Sequence, residues 1–198
     1  MAKAETAAGE AAKSTMEHFV IDSRASRFTV RATATGILSA MGHNPTIGVR
    51  EFTGNVDFDP HQALAEHFTI AINARSLAVT DDISSKDRKE MERVMNQDLL
   101  ESERFPEILY EASSIFVTRL GDSLYSVAMK GSLTLHGVTL SEPIPARVVW
   151  MESMVRASGE FTVSQSRYQM KPVSVAGGAL KLKDELKCQF EIVARRQE

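Results

Sequence analysis

Leu186-Lys-Cys-Gln-Phe-Glu-Ile192 places Leu186, Cys188, Phe190 and Ile192 on one side of an extended chain and Lys187, Gln189 and Glu191 on the other. Successive side chains of a strand point to opposite faces, so this two-residue period predicts a strand with one buried and one wet face. The period recurs upstream. Residues 27–33 set Phe28, Val30 and Ala32 against Arg27, Thr29, Arg31 and Thr33, residues 52–58 set out Phe52, Val56 and Phe58, and residues 68–72 set out Phe68, Ile70 and Ile72. After a break it resumes over residues 108–118, 123–135, 145–150 and 155–163. About eight such strands with short turns fit either an antiparallel barrel or a sandwich, and the alternation leaves both open.

The break predicts the one helix. Ser84-x-x-Asp87 forms a capping box, and Met91, Val94 and Met95 follow at helical spacing among charged neighbours, to about Gln97. Such a helix lies over something apolar. Asp81 and Asp82 just before it read as caps and dipole partners, the other reading being a carboxylate pair for acid–base work. Gly121-Asp122 suits a type II′ hairpin turn, and Gly137 closes a tight turn after His136.

Composition narrows the function classes. The 198 residues, 43% hydrophobic and 25% charged, suit one globular unit. A net charge of −3 with no massed Lys and Arg argues against nucleic acid as a partner. No apolar run is long enough to span a bilayer, so stable membrane insertion is not expected. Residues 1–17 read as a disordered or frayed leader without a signal-peptide apolar core, and residues 18–198 as the folded unit, which makes a cytoplasmic location the expectation. A single cysteine, Cys188, excludes internal disulfides and CxxC metal or redox motifs; its place in the strand makes it a small buried hydrophobe.

Motifs for nucleotide, zinc-protease and serine-hydrolase chemistry are absent, and the five histidines show no local metal-ligand spacing. His61 and His67 read as solvated. His43, within Met41-Gly-His-Asn-Pro45, and His136, beside Gly137, read either as hydrogen-bonding groups at a pocket mouth, together with Asn44, or as turn stabilisers. No metal site and no catalytic residue is assigned. Nine Met and nine Phe against one Trp suit an adaptable apolar interior, with ordinary core packing as the plainer reading.

Gly131-Ser-Leu-Thr-Leu-His-Gly-Val-Thr139 resembles the central signature of the YceI family of lipocalin-like polyisoprenoid-binding proteins. Phe19-Val-Ile-Asp22 with Arg27-Phe-Thr-Val30, Phe52-Thr-Gly-Asn-Val-Asp-Phe58 and Glu103-Arg-Phe-Pro-Glu-Ile108 resemble further stretches of that family in the same order, so that the resemblance covers roughly residues 18–195. Ser166-Arg-Tyr-Gln-Met170, followed by Lys171-Pro172 and Gly177-Gly-Ala-Leu180, departs from the family's usual segment before the last strand.

The resemblance implies an all-β fold, an eight-stranded antiparallel lipocalin-like barrel with one helical insertion. It further implies a non-enzymatic role, often as a homodimer, in binding, sequestering or carrying a long apolar amphiphile: a polyisoprenoid, an isoprenoid quinone or a fatty-acid-like lipid, with no cofactor beyond that ligand. Strand parity then selects Phe28, Val30, Phe52, Phe68, Ile70, Met129, Val148, Trp150, Phe161 and Phe190 as lining candidates, with Met91 and Met95 as the lid. Two other readings compete: a hydrolytic or metal-dependent enzyme using His43 and His136, and a filled barrel that acts as a protein-interaction module.

Overall fold

The computed structural model describes residues 16–35, 44–172, 174–175 and 180–197. In chain order the elements are β1 (Glu17–Ile21), β2 (Arg27–Arg31), β3 (Ala34–Thr35), β4 (Thr46–Val49), β5 (Phe52–Asp59), β6 (Leu64–Asn73) and β7 (Leu77–Val79). Helix α1 (Ser85–Arg93) follows, continued by a π-helical turn over Val94–Leu99. The remaining strands are β8 (Glu107–Arg119), β9 (Leu124–Leu135), β10 (Val138–Met151), β11 (Met154–Ser164), β12 (Ser174–Val175), β13 (Leu180–Leu182) and β14 (Glu185–Arg196).

Eight strands close a ring. They run β1-β5-β6-β8-β9-β10-β11-β14, and β1 returns to pair with β14 through Phe19↔Arg196 and Ile21↔Ala194. Closure removes the free edges that an open sheet would expose. All of these pairings are antiparallel, as short turns require for β5–β6, β8–β9, β9–β10 and β10–β11. The barrel expectation therefore holds and the sandwich does not.

Near one end the ring loses a wall panel. Beyond Ile21 the place of β1 beside β14 is taken by β2, which pairs with β4, and β4 pairs with β7. β7 pairs with no further strand of this sheet, and α1 packs against it instead. A second, three-stranded sheet, β12-β13-β3, is built from the short strands that follow β2 and β11 in the chain.

Helix α1 starts as the capping box predicts: the Asp87 N–H donates to Ser84 Oγ at 3.1 Å. Its second half differs, since the Asp87 carboxylate accepts from the Ser84 hydroxyl at 2.7 Å. Asp81 caps a strand rather than the helix, its carboxylate accepting from the Thr46 N–H at 2.7 Å. The predicted type II′ turn is not formed, because Gly121 lacks the positive φ that such a turn demands. The β8–β9 connection is instead a longer loop closed by the Leu120 and Gly121 N–H groups on the Leu124 carbonyl.

The β9–β10 turn follows its prediction. His136 and Gly137 take φ of 52° and 73°, the paired left-handed geometry of a type I′ turn. A side chain at Gly137 would run into the Phe105 ring. Strand β1 begins at Glu17, inside the predicted leader; residues 1–15 of that leader, together with His43 and Gly177-Gly-Ala179, lie outside the described residues.

Candidate functional site

Inward-facing side chains of the ring do not meet at its centre. They surround a cavity of about 440 Å³, within the range of sites that hold small organic ligands. Its wall is aliphatic and aromatic nearly throughout, contributed in turn around the ring by Ile70, Tyr110, Met129, Ile144, Phe161 and Phe190, with Val30 next to Phe190's strand and Ile47 beyond it. Phe28, Phe161 and Phe190 form a ring cluster with centroids 6.4 Å apart. Inward-facing Gly159 gives that cluster room, since a Cβ there would stand 2.7 Å from the Phe190 ring.

One end of the cavity is plugged. Tyr125, fully buried, meets Phe58 edge to face at 5.2 Å and donates its hydroxyl to the Pro60 carbonyl at 2.9 Å. Arg119 donates to the same carbonyl and lies 5.4 Å over the Tyr125 ring. Asp59, also fully buried, accepts the His61 and Gln62 N–H groups and sets the turn that holds this plug.

The other end carries the helix. Met91, Val94, Met95 and Leu99 belong to the cavity wall, and Glu90, whose residue is exposed, is where that wall reaches the surface. Two charged side chains join this lid to the barrel. Arg88 donates to the Val79 carbonyl at 2.7 Å and to the Asp81 carbonyl at 2.8 Å, while the Glu92 carboxylate accepts the Val79 N–H at 3.0 Å. Residues four apart share a helix face, so Arg88 and Glu92 together present a donor and an acceptor where the missing neighbouring strand would have stood.

The rim is tied by a polar network. Glu142, only 5% exposed, accepts from Arg167 at 2.6 Å and from the Tyr168 hydroxyl at 3.0 Å, and its carbonyl accepts the Tyr110 hydroxyl at 3.2 Å. Burial, with a smaller contribution from Glu142, pushes the Tyr110 hydroxyl up to about 12, so it stays a donor. Gly131, first residue of the signature stretch, leaves space for that ring, and Leu133 and Leu135 of the same stretch belong to the wall. Asp184 accepts from the Ser164 and Ser166 hydroxyls and from the Ser166 N–H, which holds its carboxyl below the ordinary carboxylate value.

Ten of the predicted lining and lid residues stand in the wall: Phe28, Val30, Phe68, Ile70, Met91, Met95, Met129, Val148, Phe161 and Phe190. Phe52 does not; it is 5% exposed and packs in the core just after the bend between β4 and β5. Trp150 does not either, standing beside the far hairpin with His61 at 6.0 Å. Parity tells which face a side chain takes, and these two meet neighbours there instead of space.

Asn44 is exposed and accepts the Ala34 N–H at 2.8 Å. His136 lies outside the wall, its Nδ1 at 3.1 Å from the Tyr168 carbonyl and its Nε2 at 3.1 Å from Glu101. That favours the turn-stabilising reading of the two. Sequence reasoning missed Gln165 and Tyr110 in the wall. For Gln165 a signal existed, because counting by twos from Phe161 and Val163 reaches it.

The profile of the YceI-like domain matches residues 19–194. The chain belongs to the YceI-like family. No curated protein matches it in sequence. Among solved structures it is similar to Burkholderia cenocepacia BcnA, at 18% identity and a TM-score of 0.66, over 87% of this chain and 98% of that one. It is similar also to a polyisoprenoid binding domain from Saccharophagus degradans implicated in plant cell wall breakdown, at 12% identity and a TM-score of 0.65, over 92% and 99% of the two chains. The Campylobacter jejuni YceI protein matches at 14% identity and a TM-score of 0.60, over 79% and 88%. At these identities the likeness establishes the YceI-like barrel itself. Among the described residues of this family member no helix is long and apolar enough to cross a membrane.

Proposed function

We propose that the protein is a non-catalytic carrier that takes up a long apolar amphiphile, a polyisoprenoid, an isoprenoid quinone or a fatty-acid-like lipid, inside its barrel. The observation that carries this is the 440 Å³ cavity with an almost wholly apolar wall, blind at one end and roofed by a helix at the other. An empty space of this size in a filled barrel would forfeit dispersion contacts for nothing. Each CH₂ moved from water into such a wall contributes about 0.8 kcal/mol, so a prenyl tail binds usefully without a single polar anchor. The Saccharophagus domain's description as polyisoprenoid binding supports a prenyl chain as first choice. A lone buried cysteine suits a reducing compartment, and we extend the proposal to a cytoplasmic, homodimeric carrier.

The test is direct. Lipid extracted from the purified protein is identified by mass spectrometry, and the emptied protein is titrated with a prenyl lipid. Saturable binding, weakened at least tenfold by the space-filling substitution Ala157→Phe on the wall, is the expected result. No bound amphiphile together with no saturable binding overturns the proposal.

A further inference from the structure

Among the described residues, the cavity wall contains one polar group left without a hydrogen-bond partner. Gln165, directly after β11, is fully buried and belongs to the wall. Its Nε2 donates to the Lys183 carbonyl at 2.9 Å and to the Asp184 carbonyl at 3.3 Å. Its backbone is held on both sides, the N–H donating to the Asp184 carbonyl at 3.0 Å and the carbonyl accepting from the Met170 N–H at 3.1 Å. The amide oxygen Oε1, in contrast, meets no donor and is shut off from solvent.

Turning the amide over does not resolve this, because Oε1 would then face two carbonyl oxygens, which are acceptors like itself. A buried polar atom without a partner costs about 1–3 kcal/mol, and native proteins rarely leave one without a reason. The other polar members of the wall are accounted for: Tyr110 donates to the Glu142 carbonyl, and the Glu90 carboxylate accepts from Arg93. Gln165 sits among Met170, Leu182 and Leu186 of the wall, at the helix end of the cavity, where the head of an amphiphile inserted tail first comes to rest.

We propose that Gln165 is the ligand-selecting residue of the cavity: Oε1 accepts a hydrogen bond from a hydroxyl on the lipid. This rests on the carrier reading above and narrows its ligand class. A prenyl alcohol or a hydroquinone carries the required donor. A quinone, an ester or an ether carries only acceptors and leaves Oε1 as it is.

The experiment compares geranylgeraniol with its methyl ether, which keeps the chain and removes the donor, by titration of the emptied full-length protein. The wild type binds the alcohol about tenfold more tightly than the ether, the ratio that about 1.4 kcal/mol corresponds to. In Gln165→Met, of similar size and without the acceptor, the ratio falls to about one. Equal affinities in the wild type, as expected if a trapped water satisfies Oε1, or a ratio unchanged in Gln165→Met, overturn the selecting role while leaving the carrier reading intact. If neither lipid binds, both fall. The wild-type comparison decides alone should the variant fail to fold.

Discussion

Cys188 is 4% exposed in the cavity wall, and burial alone pushes its thiol up to about 12. Reactivity follows the thiolate, so the native protein should resist a thiol-modifying dye at pH 8 and react fully once unfolded in urea; rapid native labelling would contradict this burial. The strand pattern around residue 188 already contained that outcome, because parity is a local property of the chain. Asp184 was not so legible. Its three donors come from Ser164 and Ser166, twenty and eighteen residues away, brought near by the Ser164↔Glu185 register. Its carboxyl is held below the ordinary 3.8, so the charged form stabilises the fold above that value, and this contribution is lost as pH falls through the lowered value. The urea midpoints of wild type and Asp184→Asn should therefore differ near neutrality and converge in acid below pH 3.8.

Helix α1 has nine residues and none of them is fully buried, so it does not stand by itself. Its attachment is the pair Arg88 and Glu92 on the Val79 backbone, backed by the Met91, Val94 and Met95 contacts. Replacing Arg88 with Met leaves the Val79 and Asp81 carbonyls without this donor and should cost about 1–3 kcal/mol of local stability. Hydrogen exchange of residues 85–99 should quicken, and ligand on- and off-rates should rise together while the dissociation constant changes less. Unchanged exchange would mean the apolar contacts suffice. The sequence showed the helix through Ser84 and the Met spacing but hid this attachment, since a charged pair on an amphipathic helix reads as its solvent face. Likewise the π-turn over Val94–Leu99 has no signature in residue types.

The barrel as a whole was visible only through resemblance. Alternation identifies strands, yet closure depends on pairs such as Phe19↔Arg196, whose partners lie at opposite ends of the described chain. Cavity or filled core was beyond reach for a related reason: whether Phe190 meets a void depends on glycine at 159, on another strand. A ligand that occupies the cavity binds the folded state alone, so at a hundred times its dissociation constant it should stabilise the protein by about 2.7 kcal/mol. For a chain of this size that raises Tm by roughly 5–10 °C. Thermal scans with increasing prenyl lipid check this, and an unmoved Tm at saturation would count against occupancy of the interior.

The plug formed by Tyr125, Phe58, Arg119 and Pro60 has a further consequence. Among the described residues it closes the end of the cavity away from the helix, so in the proposed carrier loading and delivery would share the helix end and run in reverse order. A tail that went in first would come out last, and the head would meet every donor and every recipient. On the carrier role proposed above, such a protein would work as a ferry, departing from one lipid source before docking at the next, and would not serve as a conduit spanning two membranes at once.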